Sequence, residues 1–413
     1  MNEEGASASV KNVADVICLC PLSSSIRTPE AIESLKVVVK STLQTLLAQH
    51  TAATTTTTTT ATTAPLLNEL HLKVEGVQLE GLRIIGPDYE DIDLSTASST
   101  ASSTASNPHT TTPPSIDVRC FYLRTDPPDL ESSDSSDSSP THTLLPLPHA
   151  TLSPLYPLLH FPTPLKKILT TYLLNTLLLS HLKTDPSIIS LNRLILLTGP
   201  PGTGKTTLSL SLSQRLSELN GSGQLIRLHS SSLFSKWFSE SGKKVESLFT
   251  SILEISTDNN LTIVLIDEVE SLVSNRENGN MIEDGVRGVN AVLTGLDRLK
   301  DADGVVVICT SNVQKGERID PAFLSRCDGV FEVWGPSGEG VKSILEETVG
   351  ELRRVGVLKI EDEEALAKKM EEAGGRGEGK SGREIRKVVV RKWSEMGGGM
   401  GVKAEDVIDA LWK

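Results

Sequence analysis

The segment GPPGTGKTT places a lysine and three threonines in and directly behind a glycine-rich turn, and residues 199–206 fit the pattern G-x-x-x-x-G-K-[ST]. The apolar run RLILLT precedes the turn and the helix-like run KTTLSLSLSQRLS follows it. Backbone N–H groups of such a turn can wrap phosphates, and the helix N-terminus adds its positive dipole. We predict a nucleotide-phosphate site formed by Gly199, Pro200, Pro201, Gly202, Thr203, Gly204, Lys205, Thr206 and Thr207. Lys205 is expected to reach the β- and γ-phosphates and the Thr206 hydroxyl to hold Mg²⁺.

A second stretch, GGRGEGKS at 374–381, fits the same pattern in a different context. The run EDEEALAKKMEEA before it has the spacing of an acidic amphipathic helix, not of a buried strand. Because a phosphate cradle needs the strand-to-helix junction, we predict a flexible loop between helices here instead of a second nucleotide site.

Polar side chains end two further apolar runs. LTIVLIDEVESL reads as a buried strand that ends in Asp267 and Glu268, and GVVVICTSN as another that ends in Asn312. The carboxyl ends of parallel strands are where ligands bind in α/β sheets. Asp267 is therefore expected in the Mg²⁺ shell, Glu268 as the group that polarises an attacking water, and Asn312 beside the γ-phosphate.

Three arginines follow the strand ends, and two of them, Arg326 and Arg383, stand in an order that suits phosphoryl transfer. Arg326, in IDPAFLSRCD, is a candidate arginine finger for a neighbouring subunit's γ-phosphate, and Arg318 is a weaker candidate. Arg383, in SGREIRKVVVR, begins a helix from which it could reach back to the nucleotide. Each would be read as a solvated surface charge if it stood alone.

Aromatic residues are only 4% of the chain, yet three of them fall within the segment SLFSKWFSESGKK at 232–244. Serine, lysine and glutamate surround them, which indicates a surface segment. Trp237 and Phe238 could grip another polypeptide, since aromatic rings bury much area without requiring one sequence. The alternative is that Trp237 anchors the segment in the core, which is the role expected of Phe234.

The distribution of apolar runs predicts an α/β fold: a P-loop domain with a parallel sheet covered by helices, a small helical C-terminal lid, and an N-terminal α+β domain with low-complexity insertions. The predicted divisions are an N-terminal recruiting domain at 1–143, a connecting helix region at 144–189, the large ATPase domain at 190–335 and the lid at 336–413. Thr, Ser and Pro tracts at 51–64, 95–114 and 131–143 are expected to be disordered.

Composition narrows the function classes. The net charge of −13 and pI near 5.2 argue against general nucleic-acid binding. The five cysteines include no CxxC pair, so the sequence favours neither a disulfide framework nor a zinc site. With a polar N-terminus and no long apolar run, we expect a soluble intracellular protein without a membrane partner.

Taken together, the motifs at 199–206, 267–268, 312, 326 and 383 resemble those of AAA+ ATPases. The stretches GQLIRLHSSSLFSKWFSESGKKV, IVLIDEVESL, RGVNAVLTGLD and SGREIRK resemble more closely the pachytene checkpoint protein 2 family, which includes the thyroid hormone receptor interactor 13 type. The similarity is strong over about 190–335, moderate over the segment before it, and only suggestive over 1–130.

This resemblance implies an ATP- and Mg²⁺-dependent homo-hexamer that remodels HORMA-domain proteins of the spindle checkpoint and the meiotic chromosome axis, in some cases through a HORMA-like adaptor. It implies a nuclear and cytoplasmic protein that is found on chromosomes in meiotic cells. It also implies that Trp237 and Phe238 face a central channel, with 274–288 as a second channel loop. Arg287 begins a helix near the subunit boundary, and a solvated helix cap is an equal alternative for it. Two rival readings stay open: an AAA+ motor acting on nucleic acid, and a nucleotide-dependent scaffold that does not turn over ATP.

Overall fold

The computed structural model describes residues 13–21, 37, 81–85, 115–125, 127–131, 142–182, 184–185, 188–228, 241–256, 261–273, 283–313 and 319–412. The chain divides into two compact units, Met1–Thr125 and Asp126–Lys413. Among the described residues, no helix is both long and apolar enough to cross a membrane.

The first unit contains a three-stranded sheet of order β2-β1-β3. Its strands are β1 (Val13–Pro21), β2 (Gly81–Ile85) and β3 (Ser115–Leu123). β1 pairs antiparallel with β2 and parallel with β3. The run ADVICLC lies in β1 and the run SIDVRCFYL forms β3. The tracts at 51–64 and 95–114 lie outside the described residues, and Val37 is helical.

The second unit is built on a seven-stranded sheet of order β10-β6-β9-β8-β7-β5-β4. Five neighbouring strands are parallel: β10 (Gly329–Glu332), β6 (Leu194–Thr198), β9 (Val305–Ser311), β8 (Leu261–Ile266) and β7 (Gly223–Leu228). Every residue of β6, β8 and β9 is buried. These continuous apolar runs occupy the centre of the sheet because helices cover both of its faces.

Two short strands extend the sheet antiparallel at one edge: β5 (His142–Leu147) pairs with β7, and β4 (Asp129–Glu131) pairs with β5. The sequence predicted disorder at 131–143 and a domain boundary after 143. The structure instead places Glu131, His142 and Thr143 in strands of the nucleotide-domain sheet. This happens because backbone pairing, of β5 with β7 and of β4 with β5, can order polar residues that give no apolar signal.

Alternate strand residues feed two hydrophobic clusters, one on each face of the sheet. One cluster includes α1 (Leu165–His181) and α2 (Lys205–Asn220), and the other includes α3 (Ser241–Ile255) and α4 (Glu283–Lys300). A short helix, α5 (Pro321–Leu324), precedes β10. The predicted α/β class with a parallel sheet is confirmed.

The lid has its own hydrophobic cluster. The lid comprises α6 (Gly338–Arg354), α7 (Glu363–Gly377), α8 (Gly382–Glu395), α9 (Ala404–Asp409) and the two-residue parallel strands β11 (Leu358–Lys359) and β12 (Val402–Lys403). Ser381 and Glu384 form a reciprocal capping box that fixes the start of α8.

The second G-x-x-x-x-G-K-S stretch lies at the end of α7, so the prediction of a flexible loop is wrong for its first half. Gly374 and Gly377 are helical. A Cβ on Gly374 would lie 2.6 Å from the Gly338 carbonyl oxygen, and one on Gly377 would lie 2.9 Å from Trp412. These glycines allow close helix packing in the lid, and the motif follows a helix as the sequence context indicated.

Gly295 sets the spacing between α3 and α4, because a Cβ there would lie 2.2 Å from the buried ring of Phe249. We expect Gly295→Ala to lower the free energy of unfolding by about 1–3 kcal/mol. Gly350→Ala is the matched control: it lies on α6 with nothing within 4 Å of the added carbon, and should gain about 0.5–1 kcal/mol. Urea unfolding followed by circular dichroism measures both, and equal effects of the two substitutions would contradict this packing.

Candidate functional site

The glycine-rich turn joins β6 to α2 at the carboxyl edge of the sheet. Gly202 and Gly204 have φ angles of +83° and +100°, which L-residues with a Cβ rarely adopt. α2 begins at Lys205, so its first N–H groups face the turn. The predicted phosphate cradle therefore has the strand–turn–helix geometry that the sequence context required.

Lys205 is inside this cradle, with only 5% of its surface exposed. Its Nζ donates to the carbonyl oxygens of Gly199 and Pro200, both at 2.8 Å. Burial lowers the pKa of Lys205, while the carboxylates of Glu270, Asp267 and Glu268 act in the opposite direction. An anionic phosphate in the cradle would compensate the buried ammonium group more fully than two carbonyl dipoles do.

Asp267 follows β8, and its carboxylate accepts more hydrogen bonds than the other carboxylates of the site. The Thr206 hydroxyl donates to its Oδ1 and Oδ2 at 2.9 and 3.1 Å. The Thr310 hydroxyl, from β9, donates to Oδ1, and Arg227 Nη2, from β7, donates to Oδ2 at 3.2 Å. Three secondary-structure elements besides β8 thus fix its orientation.

Glu268 has a left-handed backbone with φ of 53°, which is uncommon for a residue with a side chain. Its N–H donates to Thr310 Oγ1 at 3.2 Å, and its Oε1 accepts from Asn312 Nδ2 at 3.5 Å. The N–H of Asn312 donates to Glu270 Oε1 at 3.0 Å. The structure therefore brings Glu268 and Asn312 together, as predicted from two separate strand ends.

The lid closes one side of the site. Arg383 N donates to the Gly202 carbonyl oxygen at 3.4 Å, and a Cβ on Gly202 would lie 3.0 Å from Ser381 Oγ. The start of α8 thus rests on the phosphate-binding turn, and Arg383 lines the same cavity as Lys205. This is the placement that the sequence predicted for Arg383.

The cavity has a volume of about 510 Å³ and is lined by both polar and apolar residues. The polar lining includes the phosphate-binding turn with Asp267, Glu268, Thr310 and Asn312. The apolar lining consists of Leu155, Leu158, Leu159, Phe161, Pro336 and Ile344. Such a mixed lining suits a nucleotide, which has a charged triphosphate and a flat, apolar base.

An ion-pair cluster that includes the cavity-lining residues His160 and Arg386 joins the segment before α1 to the lid. His160 Nε2 lies 2.8 Å from Glu347 Oε1, and Arg386 Nη2 donates to Glu347 Oε2 at 3.2 Å and to the Leu158 carbonyl oxygen at 3.3 Å. The region 144–189, predicted as a connection, therefore supplies one wall of the cavity.

Arg326 does not line the cavity of its own chain. Its Nε and Nη2 form a two-point ion pair with Asp297 of α4, at 2.7 and 2.9 Å, and Asn192 Nδ2 donates to its carbonyl oxygen at 2.7 Å. This hydrogen-bonded pair lowers the pKa of Asp297 and raises that of Arg326. The position is compatible with a finger that acts on a neighbouring subunit, and that role stays a prediction.

Trp237, Phe238 and Phe234 lie outside the described residues, as do Arg318 and most of the predicted second channel loop at 274–288. Arg287 lies in α4, but its side chain is not described. The channel assignments therefore stay predictions from the sequence.

Sequence reasoning missed Thr310, Arg227 and the apolar wall at 155–161. Thr310 lies on β9, two residues before Asn312, which directly follows that strand, so the alternation of strand side chains was an available signal. Neither Arg227 nor the wall carried a signal, since a lone arginine and a Leu-rich segment are common on surfaces and in cores.

Comparison with known proteins agrees with this geometry. Residues 195–335 match the model of the ATPase family associated with various cellular activities. The pachytene checkpoint protein 2 homologue of Sus scrofa is 35% identical over 85% of this chain and 82% of its own length. The Gallus gallus homologue is 37% identical over 77% of this chain and 76% of its own length.

Solved structures give the same result. The structure of C. elegans PCH-2 superposes with a TM-score of 0.72 at 25% identity, covering 98% of both chains. The chain belongs to the pachytene checkpoint protein 2 family. A chain of the E. coli MS115-1 HORMA:CdnC:Trip13 complex shares the fold, with a TM-score of 0.54 at 18% identity, over 65% of this chain and 94% of its own.

As a member of this AAA family, the protein binds nucleotide and is an ATPase. Among the described residues, no group of three or more His, Cys, Asp or Glu could hold a metal unaided. Mg²⁺ is usually held by one or two carboxylates together with nucleotide phosphates and water. The oxygen donors of Asp267, Thr206 and Thr310 fit that requirement, and they would hold an ion that neutralises phosphate charge.

We expect Lys205→Ala to weaken ATP binding by on the order of a hundredfold, because the buried phosphate counter-charge is lost. The fold should survive, since Nζ bonds only to backbone oxygens of the turn. Titration with a fluorescent ATP analogue measures the affinity. Lys380→Ala is the control: this lysine lies over the Trp412 ring, outside the cavity. Normal affinity in Lys205→Ala would show that this turn is not the phosphate site.

Proposed function

We propose that this pachytene checkpoint protein 2 family member is an ATP-driven remodeller of HORMA-domain proteins that works as a homo-hexamer. The observation that carries the proposal is the convergence of Lys205, Asp267, Glu268, Asn312 and Arg383 on one cavity between the sheet edge and the lid. Such an arrangement suits a hydrolysing motor better than a passive scaffold, because Glu268 and Asn312 serve no purpose in nucleotide binding alone. The named relatives and the HORMA-containing bacterial complex support the substrate class.

In this proposal Glu268 orients and deprotonates the attacking water, while Asn312 holds Glu268 and the water in line with the γ-phosphate. Lys205 and Arg383 stabilise the negative charge that develops on the phosphate oxygens. Arg326 leaves Asp297 to contact the γ-phosphate bound by the adjacent subunit. The lid senses the nucleotide through the contact between Gly202 and the start of α8.

Coupling to substrate is proposed for two other parts of the chain. Trp237 and Phe238 grip an extended substrate in the central channel, and the unit at 1–125 recruits the HORMA protein or its adaptor. Activity in the spindle checkpoint and at the meiotic chromosome axis, in nucleus and cytoplasm, accompanies this role. The acidic charge of the chain disfavours the rival reading of a nucleic-acid motor.

Glu268→Gln tests the function directly. We expect ATP binding to persist and hydrolysis to fall by about a hundredfold or more, because the water loses its base. The variant should therefore accumulate as an ATP-bound ring that captures a purified HORMA-domain protein. Phosphate release, mass photometry and pull-down measure the three properties, and Glu371→Gln on the exposed face of α7 is the charge-matched control.

Each outcome of that experiment has a separate meaning. Wild-type hydrolysis by Glu268→Gln would refute the base assignment, and a trapped ring without HORMA capture would refute the substrate class. A fragment of 126–413 should bind nucleotide and lose capture. It must begin before β4, because a cut at Leu144 would break β5 and its pairing with β7.

The double substitution Trp237→Ala with Phe238→Ala tests the channel grip. We expect the melting temperature and ATP affinity to stay unchanged while conversion of a HORMA substrate is lost, since each closing step would slip without the aromatic contact. A buried tryptophan would behave differently, because its removal costs about 3–5 kcal/mol of stability. Early melting, or normal conversion, would therefore reject the grip.

A further inference from the structure

Arg227 contacts the predicted metal ligand from the side of the sheet. It is the fifth residue of β7 and is opposite Leu265 of the neighbouring strand β8, two residues before Asp267. Its Nη2 lies 3.2 Å from Asp267 Oδ2, with 40% of the Arg227 side chain and 23% of the Asp267 side chain exposed. Arg227 does not line the nucleotide cavity, so it reaches the carboxylate from outside the site.

The charges around the metal position are nearly balanced. Lys205 interacts electrostatically with Asp267, Glu268, Glu270 and Arg383. Arg227 adds a third cation to Lys205 and Arg383, opposite the three carboxylates. Since a guanidinium group stays protonated at any physiological pH, this third positive charge is permanent.

We propose that Arg227 is a positioning residue that limits the metal affinity of Asp267, an inference that rests on the proposed Mg²⁺ site. Oδ2 is shared between the guanidinium group and any cation that approaches from the cavity. A divalent ion beside Asp267 is also repelled by the fixed charge of Arg227. Mg²⁺ therefore strengthens nucleotide binding less than it would if Asp267, Thr206 and Thr310 acted without Arg227. The weaker binding favours release of the metal–nucleotide product after each cycle.

The experiment measures binding of a fluorescent ADP analogue to the full chain while free Mg²⁺ is varied at constant ionic strength. In Arg227→Gln, the Mg²⁺ concentration at half-maximal binding should fall by on the order of tenfold. In Arg227→Lys, which keeps the charge, it should stay within about twofold of wild type. Raising the salt should shrink the difference between wild type and Arg227→Gln, because the pair is partly exposed.

Two controls separate this inference from the proposed site. Arg354→Gln, which breaks an exposed ion pair with Glu351 on α6, should leave the Mg²⁺ midpoint unchanged. Asp267→Asn should remove most of the Mg²⁺ dependence. If it does not, the proposed metal site is wrong. If it does, but Arg227→Gln leaves the midpoint unchanged or raises it, only the role of Arg227 is refuted. A parallel shift in Arg227→Lys and Arg227→Gln would also refute it, since side-chain shape rather than charge would then be responsible.

Discussion

The carboxylate of Asp267 is the contact on which the arrangement of the site depends. It receives hydrogen bonds from Thr206 at the start of α2, Thr310 on β9 and Arg227 on β7. The phosphate-binding turn is thereby tied to three adjacent strands of the sheet. Because charge-assisted hydrogen bonds are among the stronger polar contacts in a protein, small changes at this carboxylate are transmitted to both the turn and the strand ends.

The contact between Gly202 and the start of α8 joins the phosphate-binding turn directly to the lid. Space for a side chain is absent there, since an added Cβ would lie 3.2 Å from Arg383 Cβ. The capping box of Ser381 and Glu384 fixes the first turn of α8 on this glycine. A phosphate bound in the cradle would therefore act on the lid through the backbone contact between Gly202 and α8. Arg383, in the first turn of α8, would add a charged contact.

The ion pair between Arg326 and Asp297 bears on the proposed role of Arg326 as an arginine finger, because it holds the guanidinium group within its own chain. Two charge-assisted bonds orient the guanidinium group on α4, and Asn192 holds the backbone beside it. At a subunit boundary, the phosphate of a neighbouring nucleotide would compete with Asp297 for the same group. The pair is partly exposed, with 29% of the Arg326 side chain and 52% of the Asp297 side chain accessible, so solvent screening limits its net stabilisation.

The sequence by itself determined the phosphate-binding turn, the central strands and the order of the polar strand ends. Glycine spacing and continuous apolar runs specify local structure directly, and they correctly located Lys205, Asp267, Glu268 and Asn312 at one sheet edge. Context also separated the two matches to the same pattern, because only the first follows a buried strand.

Tertiary structure decided what depends on contacts distant in sequence. Strand β5 forms by pairing with β7, and β4 by pairing with β5, and the polar residues Glu131, His142 and Thr143 in these strands gave no local signal of that pairing. The apolar wall of the cavity, the pairing of Arg326 with Asp297 and the approach of Arg227 to Asp267 likewise join residues from separate elements. Such contacts depend on how helices and strands pack. The same residue types on a surface would give the same local sequence pattern, so the sequence alone could not distinguish the two cases.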